Sequence, residues 1–435
     1  MMSTIQIIKN YVIAILLGII VGFKIIPPTI IGIIFLILIA KTLYHFSQND
    51  LGKVFSTLPY VIYLEIFIRS YARFIPYLSV QYLMMLGFGY LLLSGSKTTQ
   101  KLHFKPVFLI LIYFSLEILN GFFPSSLRMT SSLQLQTFCL VVVGLWAAHN
   151  KLNDIILNIM MDHIRIATLF LAGVVLVAHL QGKIDYSSAS SSAASNDMAP
   201  VQLSGYFGTG LSLVLISILN AFDKRSKIVQ MVAFCIIAVI MILTFSRGGV
   251  YFVGSVALIY MYSNRIQLGS YFKFLILIPI GLILFNFIVA RTDGKVIDRY
   301  EEKGASNREN LVLIAFYIFS EHPVIGIGTG NFNLYIKEKN LFQVDSGVHN
   351  EFARAAAEHG IIGVIVYWSF FIALFITILK RQRPARDFAL YFFTLFFLIT
   401  IHNGLKISIQ PLMLILAIAI APINLKNKKV SLIHA

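Results

Sequence analysis

The sequence predicts an all-α polytopic membrane protein of about 12–14 transmembrane helices, with one main polar helical segment on a single face. Three observations predict it. Of 435 residues, 58% are hydrophobic and only 12% charged, with a mean hydropathy of +0.81; too few polar side chains remain to cover the surface of a soluble domain. Apolar runs close to the ~20 residues that cross a bilayer as helix recur along the whole chain. They are continuous rather than alternating, which selects helices over a closed barrel. Finally, the net charge of +16 is placed at the ends of these runs, a distribution that suits a membrane protein and argues against nucleic acid as partner.

Taken in order, the runs lie near 8–26, 29–47, 79–96, 106–123, 132–149, 163–181, 205–222, 228–246, 249–263, 272–290, 361–379, 388–403 and 408–424, with a weaker one near 57–68. No short hydrophobic stretch followed by a small-residue cleavage site opens the chain, so the first helix is expected to remain as a span. Cys139 and Cys235 sit inside apolar runs and read as small hydrophobes.

Three basic clusters set the orientation: Lys224, Arg225 and Lys227; Lys380, Arg381, Arg383 and Arg386; Lys426, Lys428 and Lys429. The excess of Lys and Arg on cytoplasmic loops puts all three inside. Alternation then places 246–249, 291–348 and the pair His402 and Asn403 outside, and Lys97, Lys101 and Lys105 inside. Counting 57–68 as a span gives about fourteen crossings and two cytoplasmic termini. The chain divides into N-terminal helices over 1–204 with a Ser-rich outer loop at 185–200, central helices over 205–290, an outer segment over 291–360, and C-terminal helices with a basic tail over 361–435. Its composition makes loop 185–200 a linker.

Chemistry is expected in the outer segment, because ionisable groups at a membrane boundary are rare and usually functional. Ser306, Asn307, Arg308 and Glu309 have capping-box spacing before an apolar run, so a helix starts at Arg308. A cation in the first turn opposes the helix dipole, and a phosphate gripped by the guanidinium fork would relieve the conflict. Snorkelling, or pairing with Glu302, is the plainer alternative. Gly326, Gly328 and Gly330 superficially suggest a nucleotide loop, but no βαβ unit surrounds them, and they read as a turn folding back toward the membrane.

Arg247 ends an apolar run and precedes Gly248 and Gly249, which would let the backbone approach a ligand; a simple interfacial anchor has the same look. Arg247, Arg308 and either Arg291 or Arg299 would crowd cations onto one outer surface, an invitation to a polyanion such as a diphosphate. His349 titrates near neutrality and can take a proton from a hydroxyl, although a lone histidine is more often structural. Asn350, Glu351, Arg354 and Glu358 follow on a short helix that Gly360 ends as a left-handed cap, and their stripe must face protein or water. His402 and Asn403 repeat the His-Asn pair at another outer helix end, where they either line the same cavity or cap a turn.

In this order S-R-G-G, N-R-E-N, E-H-P-V-I-G-I-G-T-G-N-F, H-N-E-F and G-I-I-G resemble the O-antigen polymerase and O-antigen ligase superfamily of bacterial envelopes. The resemblance covers roughly 205–367; the N-terminal helices share only their hydrophobicity. It implies a GT-C-like fold in the bacterial inner membrane and a glycosyltransferase acting at the periplasmic face, without cofactor or metal. The donor it implies is an undecaprenyl-diphosphate-linked oligosaccharide. Arg247 and Arg308 would be catalytic in holding the diphosphate, and His349 would act on the acceptor hydroxyl. Asn350, Glu351, Arg291 and Arg299 would be further substrate contacts. The acceptor glycan is carried on lipid, membrane lipids surround the enzyme, and a chain-length regulator protein is a further implied partner. Polymerase is the first reading, since bacteria generally carry more kinds of polymerase than ligase. Ligation to lipid A-core is the alternative, and an anionic-lipid transporter or flippase the second.

Overall fold

Each apolar run is a helix. The structure, a computed structural model, describes residues 4–95, 104–121, 127–182, 184, 192–220, 224–264, 277–301, 308–342, 348–404 and 407–421. The helices are α1 (Thr4–Gly22), α2 (Pro28–Ser47), α3 (Leu51–Tyr71), α4 (Ser79–Leu93), α5 (Phe104–Leu119), α6 (Leu127–His149), α7 (Asp154–Leu180), α8 (Pro200–Asn220), α9 (Lys224–Leu243), α10 (Gly248–Ser263) and α11 (Leu277–Arg291). After them come α12 (Lys295–Glu301), α13 (Arg308–Glu321), α14 (Phe332–Glu338), α15 (Glu351–Leu379), α16 (Ala385–His402) and α17 (Ile409–Ala419). Among the described residues, 9 helices are long and apolar enough to cross a membrane, and shorter apolar helices accompany them. The chain is a multi-pass membrane protein.

Local chemistry explains where helices begin. Pro28 opens α2, where a missing N–H costs nothing. Asp50 caps α3 by accepting from the Lys53 N–H at 3.0 Å, and Asn153 caps α7 by accepting from the Ile156 N–H at 2.9 Å. The weak run 57–68 turns out to be the middle of α3, most of which is buried. Its polar residues are satisfied inside the bundle: Arg69 pairs with Glu65 at 2.9 Å, and the Tyr206 hydroxyl donates to Glu65 at 3.4 Å.

Hydrogen bonds between helix ends sort the loops onto two faces. At one end, the Leu152 N–H donates to the Ala419 carbonyl at 2.7 Å, and Arg381 donates to the Ala417 carbonyl at 3.0 Å. At the other, Asn196 donates to the carbonyls of Gly22 (3.1 Å) and Val174 (2.7 Å), the Tyr71 hydroxyl to that of Ile26 (2.7 Å), and Asn403 to that of Val201 (2.8 Å). Turns expected on the same side of the membrane therefore meet. The basic clusters around Lys97 and Lys426 fall at least partly outside the described residues.

The described residues of the segment 291–348 are largely helical and include α12 and α14, which the sequence pattern did not announce. Leu311, Ala315 and Ile318 of α13 share a core with Phe332, Ile336, Val348, Ala353 and Ala357. The opposite surface is also apolar: Leu313, Phe316, Tyr317, Val324 and Ile325 are all exposed.

Gly360 interrupts the helix before the span at Ile361, as expected of it, but not as a left-handed helical cap: with φ 60° and ψ −153° it occupies a region essentially reserved for glycine, and α15 consists of two helical stretches that meet there at a kink. The chain continues because the Ile361 N–H finds the Pro323 carbonyl at 2.8 Å. A Cβ at Gly360 would collide with the Val324 carbonyl. Gly360→Ala is therefore expected to lower stability by about 1–3 kcal/mol, read as a lower unfolding midpoint in detergent; an unchanged midpoint would show that the 323–331 loop can step aside.

Candidate functional site

Arg247 stands at the start of α10, half-buried at the end of the bundle where His402 lies. Among the described residues its side chain has no acid or hydrogen-bond partner. The two glycines after it do permit a close approach, and what approaches is the protein itself. A Cβ on Gly248 would overlap the His402 imidazole, and the Gly249 N–H donates to the Ser204 hydroxyl at 2.6 Å. Thus α8 and α16 both press on the turn that carries Arg247.

The 402–404 turn links this point to the second one. Asn403 is buried and anchored to α8 through the Val201 carbonyl. At Gly404, where φ is +62°, a Cβ would lie 2.6 Å from the Glu351 carboxylate and 3.2 Å from the His349 carbonyl. A single turn therefore touches the neighbour of Arg247 on one side and His349 on the other. His349 is itself half-buried, as is Asn350. The Asn350 side chain caps α15, its oxygen accepting from the N–H groups of Phe352 (3.0 Å) and Ala353 (3.3 Å).

Below His349 lies an ion cluster that holds its helix in place. Three carboxylates surround the Arg354 guanidinium: Glu351 at Nε (2.6 Å), Glu358 at Nη1 (2.9 Å) and Glu117 of α5 at Nη2 (2.6 Å). Arg354 is 4% exposed and Glu351 2%. A fork so fully occupied has no edge left for a phosphate, and Glu351, read from sequence as a substrate contact, is turned inward onto Arg354. The cluster fixes α15 against α5, since a charge-assisted hydrogen bond in a dry interior is strong only when geometry and partners are complete.

The glycine-bearing loop secures the same junction from outside. Ile327 and Gly328 donate their N–H groups to the carbonyls of Ala357 and Glu358, each at 3.0 Å, satisfying acceptors that the kink would leave open. The Thr329 hydroxyl donates to the Glu117 carbonyl at 2.8 Å, and Asn120 donates to the Ile325 carbonyl at 3.3 Å. Gly326 has φ +68°, and a Cβ there would run into the backbone of Glu358. The loop folds back toward the membrane as its composition suggested.

Arg291, exposed at the end of α11, donates to the His179 carbonyl at 3.1 Å and so closes the end of α7. Phe245, two residues before Arg247, packs with Ile288 and Val296, so Arg291 and Arg247 flank a common apolar cluster. Arg308 opens α13 and Arg299 lies on α12, but both side chains, along with Ser306, Asn307 and Glu302, are outside the described residues. Leu311, in the first turn of α13, shares a core with Val348, the residue before His349. Sequence reasoning missed Glu117; the signal available was a lone carboxylate inside an apolar run.

Residues 231–368 match the family model described as O-antigen ligase. No curated protein matches the chain. The matched span contains every arginine singled out above together with His349, Asn350 and Glu351, whereas Glu117 and the 402–404 turn lie outside it.

Proposed function

Because the chain belongs, through residues 231–368, to the O-antigen polymerase and ligase superfamily, we propose that it transfers a glycan from undecaprenyl diphosphate to a sugar hydroxyl of another lipid-linked repeat. The reaction is placed at the periplasmic face of the bacterial inner membrane, with both termini cytoplasmic. The observation that supports it is that the 402–404 turn packs against both Gly248, the residue after Arg247, and His349.

In this reading His349 accepts the proton of the acceptor hydroxyl as its oxygen forms a new bond to the anomeric carbon. The bond from that carbon to the diphosphate breaks, and undecaprenyl diphosphate leaves with the electron pair. Arg247 and Arg308 stabilise the departing negative charge, with Arg291 and Arg299 as further donor contacts. Asn350 and Glu351 serve through position: one caps the helix behind His349, the other holds Arg354. The leaving group carries its own activation, so neither metal nor nucleotide is required. A single displacement inverts the anomeric centre.

Purified protein in lipid nanodiscs, given the lipid-linked repeat alone and then with lipid A-core, tests this. Chain growth without the core, with inverted linkages, is the expected result. Transfer only when the core is present would make the chain a ligase, and retention of the donor's configuration would rule out single displacement. A His349→Ala variant that still transfers glycan but no longer translocates lipid would move the assignment to a flippase. Dependence of product length on a co-expressed chain-length regulator would identify that partner.

A further inference from the structure

The 402–404 turn has chemistry of its own, which neither the matched span nor the transfer scheme uses. His402 ends α16, half-exposed at the outer end, with its ring edge-on to Phe252 at 6.1 Å. The Nε2 tip of its imidazole reaches the backbone of Gly248, the residue directly after Arg247, and α10 has a glycine there because no side chain would fit. An aliphatic residue would fill that space at lower electrostatic cost. A neutral imidazole, by contrast, tolerates a guanidinium neighbour and carries one N–H donor.

The rest of the turn shows what this placement achieves. Asn403 is fastened to α8, and Gly404 abuts His349 and Glu351. One turn thus carries His402 against Gly248, the residue after Arg247, and Gly404 against His349. We propose that His402 is a second histidine of the site, a substrate-binding residue that donates a hydrogen bond to the diphosphate gripped by Arg247. It leaves the acceptor proton to His349. The inference rests on the transfer reading above, and assigns to the donor's phosphates a contact from outside the matched span.

The test compares His402→Ala, His402→Gln and His402→Leu in the full chain in nanodiscs, using the lipid-linked repeat as donor and undecaprenyl diphosphate as product inhibitor and binding probe. Losing one hydrogen bond to a charged group is expected to raise KM for the donor about tenfold and to weaken undecaprenyl diphosphate binding by a similar factor, with kcat nearly unchanged. Glutamine, which fills the space and can donate, restores most of the affinity; leucine, which only fills it, does not. Leucine matching the wild type in both measurements would make His402 a spacer and overturn the proposal. If His402→Ala does not fold, the glutamine and leucine pair still decides. Wild-type protein that binds undecaprenyl diphosphate through His402 yet transfers no glycan would defeat the transfer reading while sparing this one.

Discussion

Arg354→Met is expected to be among the most damaging single substitutions in the chain, because the residue is buried among three carboxylates. It would strip the guanidinium from a site where Glu117, Glu351 and Glu358 converge. Removing one partner from a buried ion network leaves its counter-charges dry and unpaired, which typically costs about 3–5 kcal/mol. A marginally stable membrane protein would lose most of its folded, monodisperse fraction in detergent, a result that size-exclusion chromatography would read directly. Replacing Glu117, Glu351 and Glu358 by glutamine in the same variant removes the stranded charges and is expected to recover much of the loss. Arg354→Met alone behaving like wild type would show that the cluster is dispensable.

Arg247→Ala should have the opposite profile, with folding intact and chemistry lost. Nothing among the described residues depends on its side chain for an ion pair, so the unfolding midpoint should barely move. Removing a preorganised charge aimed at a departing oxyanion commonly costs about 10²–10³ in kcat, and glycan transfer is expected to fall by that order. Arg247→Lys keeps the charge but loses the two-pronged geometry, so it should recover only part of the activity. Full transfer by the alanine variant would remove Arg247 from the mechanism.

These two arginines also mark what could and could not be read in advance. Arg247 was legible because a cation at the end of an apolar run stands out against its local background, and alternation of helices then assigned it a face. Arg354 was legible as part of a polar stripe, but its third partner was not, because Glu117 is 237 residues away and no local pattern joins them. Helix α3 was weak in hydropathy for a related reason. Glu65 and Arg69 neutralise each other, and residues of α8 complete their shell, so the cost visible in sequence is offset by contacts that exist only after folding. Asn350 illustrates a different gap: asparagine before a helix is a capping signal, yet its place beside His349 invited a role with substrate. At Gly360 the glycine announced a break, whereas the continuation beyond it depended on a carbonyl from Pro323.

The exposed apolar surface of α13 and the loop after it bears on how a lipid-linked donor would reach Arg247 in the proposed reaction. Leu313, Phe316, Tyr317, Val324 and Ile325, with Leu313 66% exposed, make a patch ill suited to bulk water and well suited to the head-group layer, where amphipathic helices lie flat. A helix seated at that depth would begin, at residue 308, near the level of lipid phosphates. In the proposed reaction a prenyl-anchored donor would then arrive by lateral diffusion with its own phosphates already at the matching height. Recognition becomes a search in two dimensions rather than three, and the bilayer itself supplies part of the alignment.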